Sequence, residues 1–118
     1  MLRRVLPLLA LLLACASAHA ASTCFVTEFR TQTPAAYPVA VQTPLAEQTV
    51  AASGTSASSS AFQPQTTLVR IVCDVAVSIE FGATPTASAT TAFLPANTIE
   101  YYAVPAGLSL KVAVITNT

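Results

Sequence analysis

Every second residue from Val69 to Phe81 is apolar: Val69, Ile71 and Cys73, then Val75, Val77, Ile79 and Phe81. A helix would scatter these side chains around its circumference, whereas a strand sends them all to one face. Most are β-branched, a type that packs well on a pleated surface. The pattern commits this part of the chain to β structure. Its two runs, Thr67 to Asp74 and Val75 to Phe81, read as a hairpin turning near Asp74-Val75-Ala76. Gly82 and Thr84-Pro85 end the second run.

The same period returns twice. Thr98 to Val104 sets Ile99, Tyr101 and Ala103 against Glu100, Tyr102 and Val104, and Leu108 to Thr116 puts Leu108, Leu110, Val112 and Val114 on one face. Pro105-Ala106-Gly107 between them has turn chemistry, so a second hairpin is expected. Near the start, Cys24 to Arg30 alternates Phe25, Thr27 and Phe29 with Val26, Glu28 and Arg30. Val39 to Gln42 and Gln48 to Ala52 are shorter candidates. Pro34, Pro38 and Pro44 around them favour edge strands or extended loops. Six to seven short strands with Pro, Gly and Ser/Thr punctuation predict an all-β fold, an antiparallel β-sandwich or jelly-roll-like domain.

Residues 1–20 have the layout of a secretory signal. Arg3 and Arg4 supply a basic start, Val5 to Leu13 an apolar core, and Ala18-His19-Ala20 small residues at the two positions a signal peptidase reads. Cleavage after Ala20 leaves 98 residues as one small domain, residues 21–118. A second reading takes Leu12-Leu13-Ala14-Cys15 as a loose lipobox, with Cys15 lipidated and the protein tethered to a membrane. The small-x-small pattern and the short distance to Cys15 favour the first. The apolar core of the leader is far shorter than the roughly twenty residues a spanning helix needs, so no transmembrane span is expected.

Cleavage at Ala20 leaves two cysteines, Cys24 and Cys73. An even pair in an exported chain reads most simply as one disulfide, the alternative being two buried thiols. Between the halves, residues 51–65 form a Ser/Ala-rich stretch that reads as a flexible loop, or else as an exposed or O-glycosylated tip. Ala83 to Thr91 is a second Thr/Ala-rich segment expected to be mobile, and no N-x-Ser/Thr sequon occurs.

Chemistry-bearing residues are scarce. Only 8% of the chain is charged, and without a basic cluster there is nothing to grip phosphates, so no nucleic-acid partner is expected. The one histidine, His19, lies in the leader, which removes a Ser/His/Asp triad and the commonest metal ligand. Glu28, Glu47, Asp74, Glu80 and Glu100 read mostly as solvent-facing residues that keep strands soluble, and no catalytic residue, cofactor or metal site is predicted. Tyr101 and Tyr102 are neighbours and must face opposite ways on a strand. Tyr101 shares a face with Ile99 and reads as the core member, leaving Tyr102 as a candidate partner contact.

The C-terminal half carries a resemblance. Leu68 to Asp74, Ile79 to Ala87 with its FGxxPTA loop, the LPAN turn at Leu94 to Asn97, the EYxxVPAG stretch at Glu100 to Gly107, and Val112 to Ile115 resemble small β-rich proteins of tailed-phage structural gene clusters. The resemblance spans about residues 66–116 and implies a non-enzymatic, virion-associated structural or interaction module. The export leader departs from that pattern, because phage heads and tails assemble in the cytoplasm. Two placements therefore follow: an exported module of phage-structural type, or a bacterial periplasmic or surface envelope or adhesive protein. Both expect a protein partner or self-association, and a small exported enzyme is the third, least supported class.

Overall fold

The computed structural model of the 118-residue chain describes residues 21–32, 39–41 and 43–118, and these fold as an all-β protein without helix. Ten strands form: β1 (Thr23–Phe29), β2 (Thr31–Gln32), β3 (Val39–Ala40), β4 (Ala46–Ala51), β5 (Ala57–Ser58), β6 (Leu68–Cys73), β7 (Val77–Gly82), β8 (Ala92–Leu94), β9 (Glu100–Ala103) and β10 (Lys111–Thr116). Sheet 1 has the order β4-β1-β6-β9 and sheet 2 the order β5-β10-β7-β8, with every described pair antiparallel. β2 and β3 pair with each other as a separate two-stranded ribbon.

Alternation decides what is buried. Cys24 and Val26 on β1, Val50 on β4, and Val69, Ile71 and Cys73 on β6 come from sheet 1. They join Val77, Ile79, Leu94, Val112 and Val114 of sheet 2 in one cluster. Two sheets around one core are compatible with the expected sandwich. Phe62, from the segment after β5, enters the same cluster. Its ring centroid lies 6.3 Å from that of Phe81, which is itself 5.1 Å from that of Tyr102.

Neither expected hairpin forms. β6 and β7 belong to different sheets, so Asp74-Val75-Ala76 carries the chain across the core, and Pro105-Ala106-Gly107 likewise leads from β9 in sheet 1 to β10 in sheet 2. The physical reason lies in side-chain parity. In a crossing, as in a hairpin, the apolar residues of both strands point at the core, so the sequence pattern is the same for either. A two-residue hairpin turn wants left-handed backbone and Asn or Gly, which Asp74-Val75 does not offer. Val75 instead packs against the core at the corner. Asp74 holds the corner to the start of β1, its carboxyl accepting from the Thr23 N–H at 2.8 Å and its own N–H donating to the Thr23 carbonyl.

Residues 51–65 carry more structure than their composition predicts. Ala57–Ser58 add a strand to β10, the Ser59 N–H donates to the Val112 carbonyl and the Phe62 N–H to the Leu110 carbonyl, and Ala52, Ser59 and Phe62 are buried.

Candidate functional site

Cys24 and Cys73 are direct partners across β1 and β6, both fully buried, and are joined as a disulfide. The bridge therefore links two inner strands of sheet 1. On a chain-entropy basis, closing a loop of 49 residues' separation stabilises the fold by about 4 kcal/mol. Ala18, Ala20, Cys15 and His19 lie outside the described residues.

The tyrosine assignment is reversed. Tyr102 pairs with the buried Val69, faces inward and packs on Phe81, whereas Tyr101 pairs with Arg70 on the outer face and is 55% exposed. Ile99 is exposed too, so it gave no anchor for Tyr101. Burial pushes the Tyr102 phenol above the ordinary tyrosine value, and the charge of Glu100 adds to the shift. Tyr102 is a packing residue, and Tyr101 is the exposed tyrosine of the pair.

Glu28 corrects the solvent-facing reading of the carboxylates. Glu47, Asp74, Glu80 and Glu100 are exposed as expected, but Glu28 is only 1% exposed. Its Oε2 accepts from the Gln63 N–H and the Thr66 hydroxyl, both at 2.7 Å, and its Oε1 accepts from Gln48 Nε2 at 3.0 Å. Gln48 Oε1 in turn accepts from the Ser60 N–H at 2.8 Å. One carboxyl thus ties the Ser60–Thr66 segment to sheet 1, beside the point where Phe62 enters the core. Among the described residues no buried side-chain oxygen or nitrogen lacks a partner. With both oxygens engaged in holding a loop, Glu28 is a structural group. Its burial was signalled by parity: Glu28 shares a face with Cys24 and Val26.

The two outer faces of the sheets differ. Sheet 2 is covered by the segment between β7 and β8. Ser58 Oγ donates to the Pro85 carbonyl, Ser56 Oγ accepts from the Ala87 N–H, and Asn117 Nδ2 donates to Ser78 Oγ and to the Ala89 carbonyl. Beneath this cover Ser78 and Ala113 are fully buried although they point away from the core. Ala83–Thr91 is thus held down along much of its length.

Among the described residues, sheet 1 has no such cover over its middle. Its outer face carries Thr49 and Glu47 from β4, Phe25 and Phe29 from β1, Val72 and Arg70 from β6, and Tyr101 from β9, with Thr27 and Leu68 buried among them. Phe25 is 50% exposed. Two grooves of about 440 and 410 Å³ open on this face, and both include Thr27, Glu47 and Arg70 in their lining. Thr43, at the rim of the second, has φ 70°. That left-handed backbone is rare for a β-branched residue.

Among the described residues no three His, Cys, Asp or Glu side chains gather as a metal-holding group, and no helix is long and apolar enough to cross a membrane. Comparison of the chain with protein-family models, with curated proteins and with solved structures found no match. The class defined by the fold and the site is an all-β domain of two antiparallel sheets around one core, bridged by a disulfide, with one outer face covered and, among the described residues, the middle of the other uncovered.

Proposed function

We propose that this chain is an exported, non-enzymatic interaction module, a β-sandwich resembling phage virion-associated proteins, that works by binding through the outer face of sheet 1. The observation that carries the reading is the contrast between the faces. Sheet 2 buries Ser78 and Ala113 under the chain's own loop and exposes Phe93 on its β8 edge, while sheet 1 leaves Phe25 and Tyr101 half exposed beside two grooves. Aromatic side chains left in water next to concave, polar-lined surface are what a binding face presents.

Export is supported by the leader and by the Cys24–Cys73 bridge, since such bridges persist in oxidising compartments. β1 starts at Thr23, so cleavage after Ala20 leaves its ladder with β4 and β6 untouched. The bridge equally favours the second placement, a bacterial periplasmic or surface adhesive or envelope protein, which becomes a lipoprotein if Cys15 is lipidated.

The test is the intact mass of the native protein recovered separately from periplasm, membranes and purified phage particles. A chain starting at Ala21 and lighter by two hydrogens, found in periplasm or medium, is the expected result. A lipid-bearing Cys15 in membranes selects the tethered form. An uncleaved, reduced chain in particles overturns the exported reading.

A further inference from the structure

The two grooves on sheet 1 adjoin at a shared row of side chains, and we treat them as one trough. Both contain Thr27, Glu47 and Arg70, and together they run along β1 from Phe25 past Thr27 to Phe29. Glu47 on β4 and Arg70 on β6 are both register partners of Thr27, so they stand opposite each other across the floor. Thr49 and Val72 extend these walls beside Phe25, and Thr43, Pro44 and Tyr101 bound the half beside Phe29.

We propose that this trough binds an uncharged polyhydroxylated chain, a neutral glycan. The proposal rests on the reading of sheet 1's outer face as the binding surface and names the chemistry that face takes. Three features select the ligand. First, β1 is paired on both sides, by β4 and by β6, so its backbone groups are already used and a ligand lying over it is read by side chains alone. Strand addition by a peptide belongs at a sheet edge, not here.

Second, the walls carry one carboxyl side chain and one guanidinium at the same level, separated by two strand spacings, about 9.6 Å between backbones. An anionic ligand meets Glu47 and a cationic one meets Arg70. A hydroxyl is both donor and acceptor, so a sugar can donate to Glu47 on one side and accept from Arg70 on the other, with no charge left over.

Third, half-exposed rings flank this polar row: Tyr101 continues it beyond Arg70, its register partner, and Phe25 stands one same-face step along β1 from Thr27. Such rings offer apolar faces to the C–H surfaces of sugars while the polar row fixes orientation. Phe25 to Phe29 spans four residue steps, about 14 Å, room for roughly two or three sugar rings in line.

A second copy of this chain fits less well. A twofold contact would set trough over trough and leave unfilled space where a specific interface needs close packing.

The experiment is a titration of the oxidised, isotope-labelled protein, followed by nuclear magnetic resonance, with cellotetraose, maltotetraose and tetra-N-acetylchitotetraose. Sialyllactose and deacetylated chitotetraose serve as the anionic and cationic counterparts. The expected result is that at least one neutral sugar moves the resonances of Thr27, Thr49, Arg70, Val72 and Tyr101, with affinity weakened roughly tenfold or more by Tyr101→Ala and by Arg70→Gln. Phe93→Ala, on sheet 2, leaves binding unchanged, and thermal midpoints of all three variants verify folding. Silence across the neutral sugars, tighter binding of a charged one, or a sedimentation dimer that shields the trough overturns the proposal.

The failure of the underlying reading looks different. Shortened oligosaccharides in the recovered solution would contradict the non-enzymatic reading while leaving the glycan site standing. A trough indifferent to sugars but shielded on native material would sink the glycan proposal alone.

Discussion

Replacing Glu28 with alanine removes the acceptor on which three donors converge. Thr66 is 1% exposed, so its hydroxyl has no route to water, and the Gln63 N–H is partly buried. A buried donor left without a partner costs about 1–3 kcal/mol. Gln48 is better placed, because its amide already lies 3.5 Å from the Ser60 carbonyl and can turn to it. Two stranded donors and the space vacated by the side chain together predict a loss of about 4 kcal/mol. For a domain of this size that is a large share of a total of about 5–15 kcal/mol, equivalent to a fall in Tm of roughly 20 °C. Glu28→Gln keeps an oxygen for Thr66 and Gln63 but sets one NH2 group against that of Gln48, so its cost is smaller, about 1–2 kcal/mol. Urea denaturation of the oxidised variants measures both, and hydrogen exchange at the Ser60 and Gln63 amides reports whether the segment loosens first. A loss below about 1 kcal/mol for Glu28→Ala, or a glutamine variant less stable than the alanine one, would refute the assignment of this carboxyl as the tether.

Other expectations follow from the same packing. Cys24→Ala/Cys73→Ala, or reduction of the native protein, should lower stability by about 4 kcal/mol in urea, with the midpoint of the double variant unaffected by reductant. The raised Tyr102 phenol favours the folded state while it stays protonated. That contribution is fully present below the ordinary tyrosine value of about 10 and is lost as pH rises from there through the raised folded value; Tyr102→Phe should therefore flatten the alkaline fall in Tm. Asn97 sits at φ 57° with its N–H donated to the Cys73 carbonyl at 2.7 Å. Asn97→Gly should change stability by less than about 1 kcal/mol, whereas Asn97→Val, which resists left-handed backbone, should cost about 1–2 kcal/mol by thermal denaturation.

The sequence announced the β class because alternation is local: Val69 to Phe81 show their buried face without reference to anything else. The cysteine pairing was legible for a different reason, since outside the leader-like residues 1–20 only Cys24 and Cys73 stand, and two cysteines admit one intramolecular bridge. Which sheet each strand joins was not legible, since Asp74-Val75-Ala76 can turn back on one sheet or cross to the other with the same inward residues. The faces of Tyr101 and Tyr102 were not legible either, because apolar character alone does not settle the face of an edge strand such as β9, where Ile99 is exposed. Glu28 was misplaced by giving its charge more weight than its parity with Cys24 and Val26. The trough could not be read at all: Glu47, Thr27 and Arg70 are distant in sequence and meet only through the registers of β4 and β6 on β1.

The central claim is that the outer face of sheet 1 is the working surface. Its most direct test is covalent footprinting of Phe25, Tyr101 and Phe93 by hydroxyl radicals, on the purified protein and on the protein in its native envelope or particle. All three rings are at least half exposed in the isolated chain, so all three should react there. The account predicts that Phe25 and Tyr101 become protected in native material while Phe93 on sheet 2 stays reactive. Protection of Phe93 with Phe25 and Tyr101 still open would contradict it.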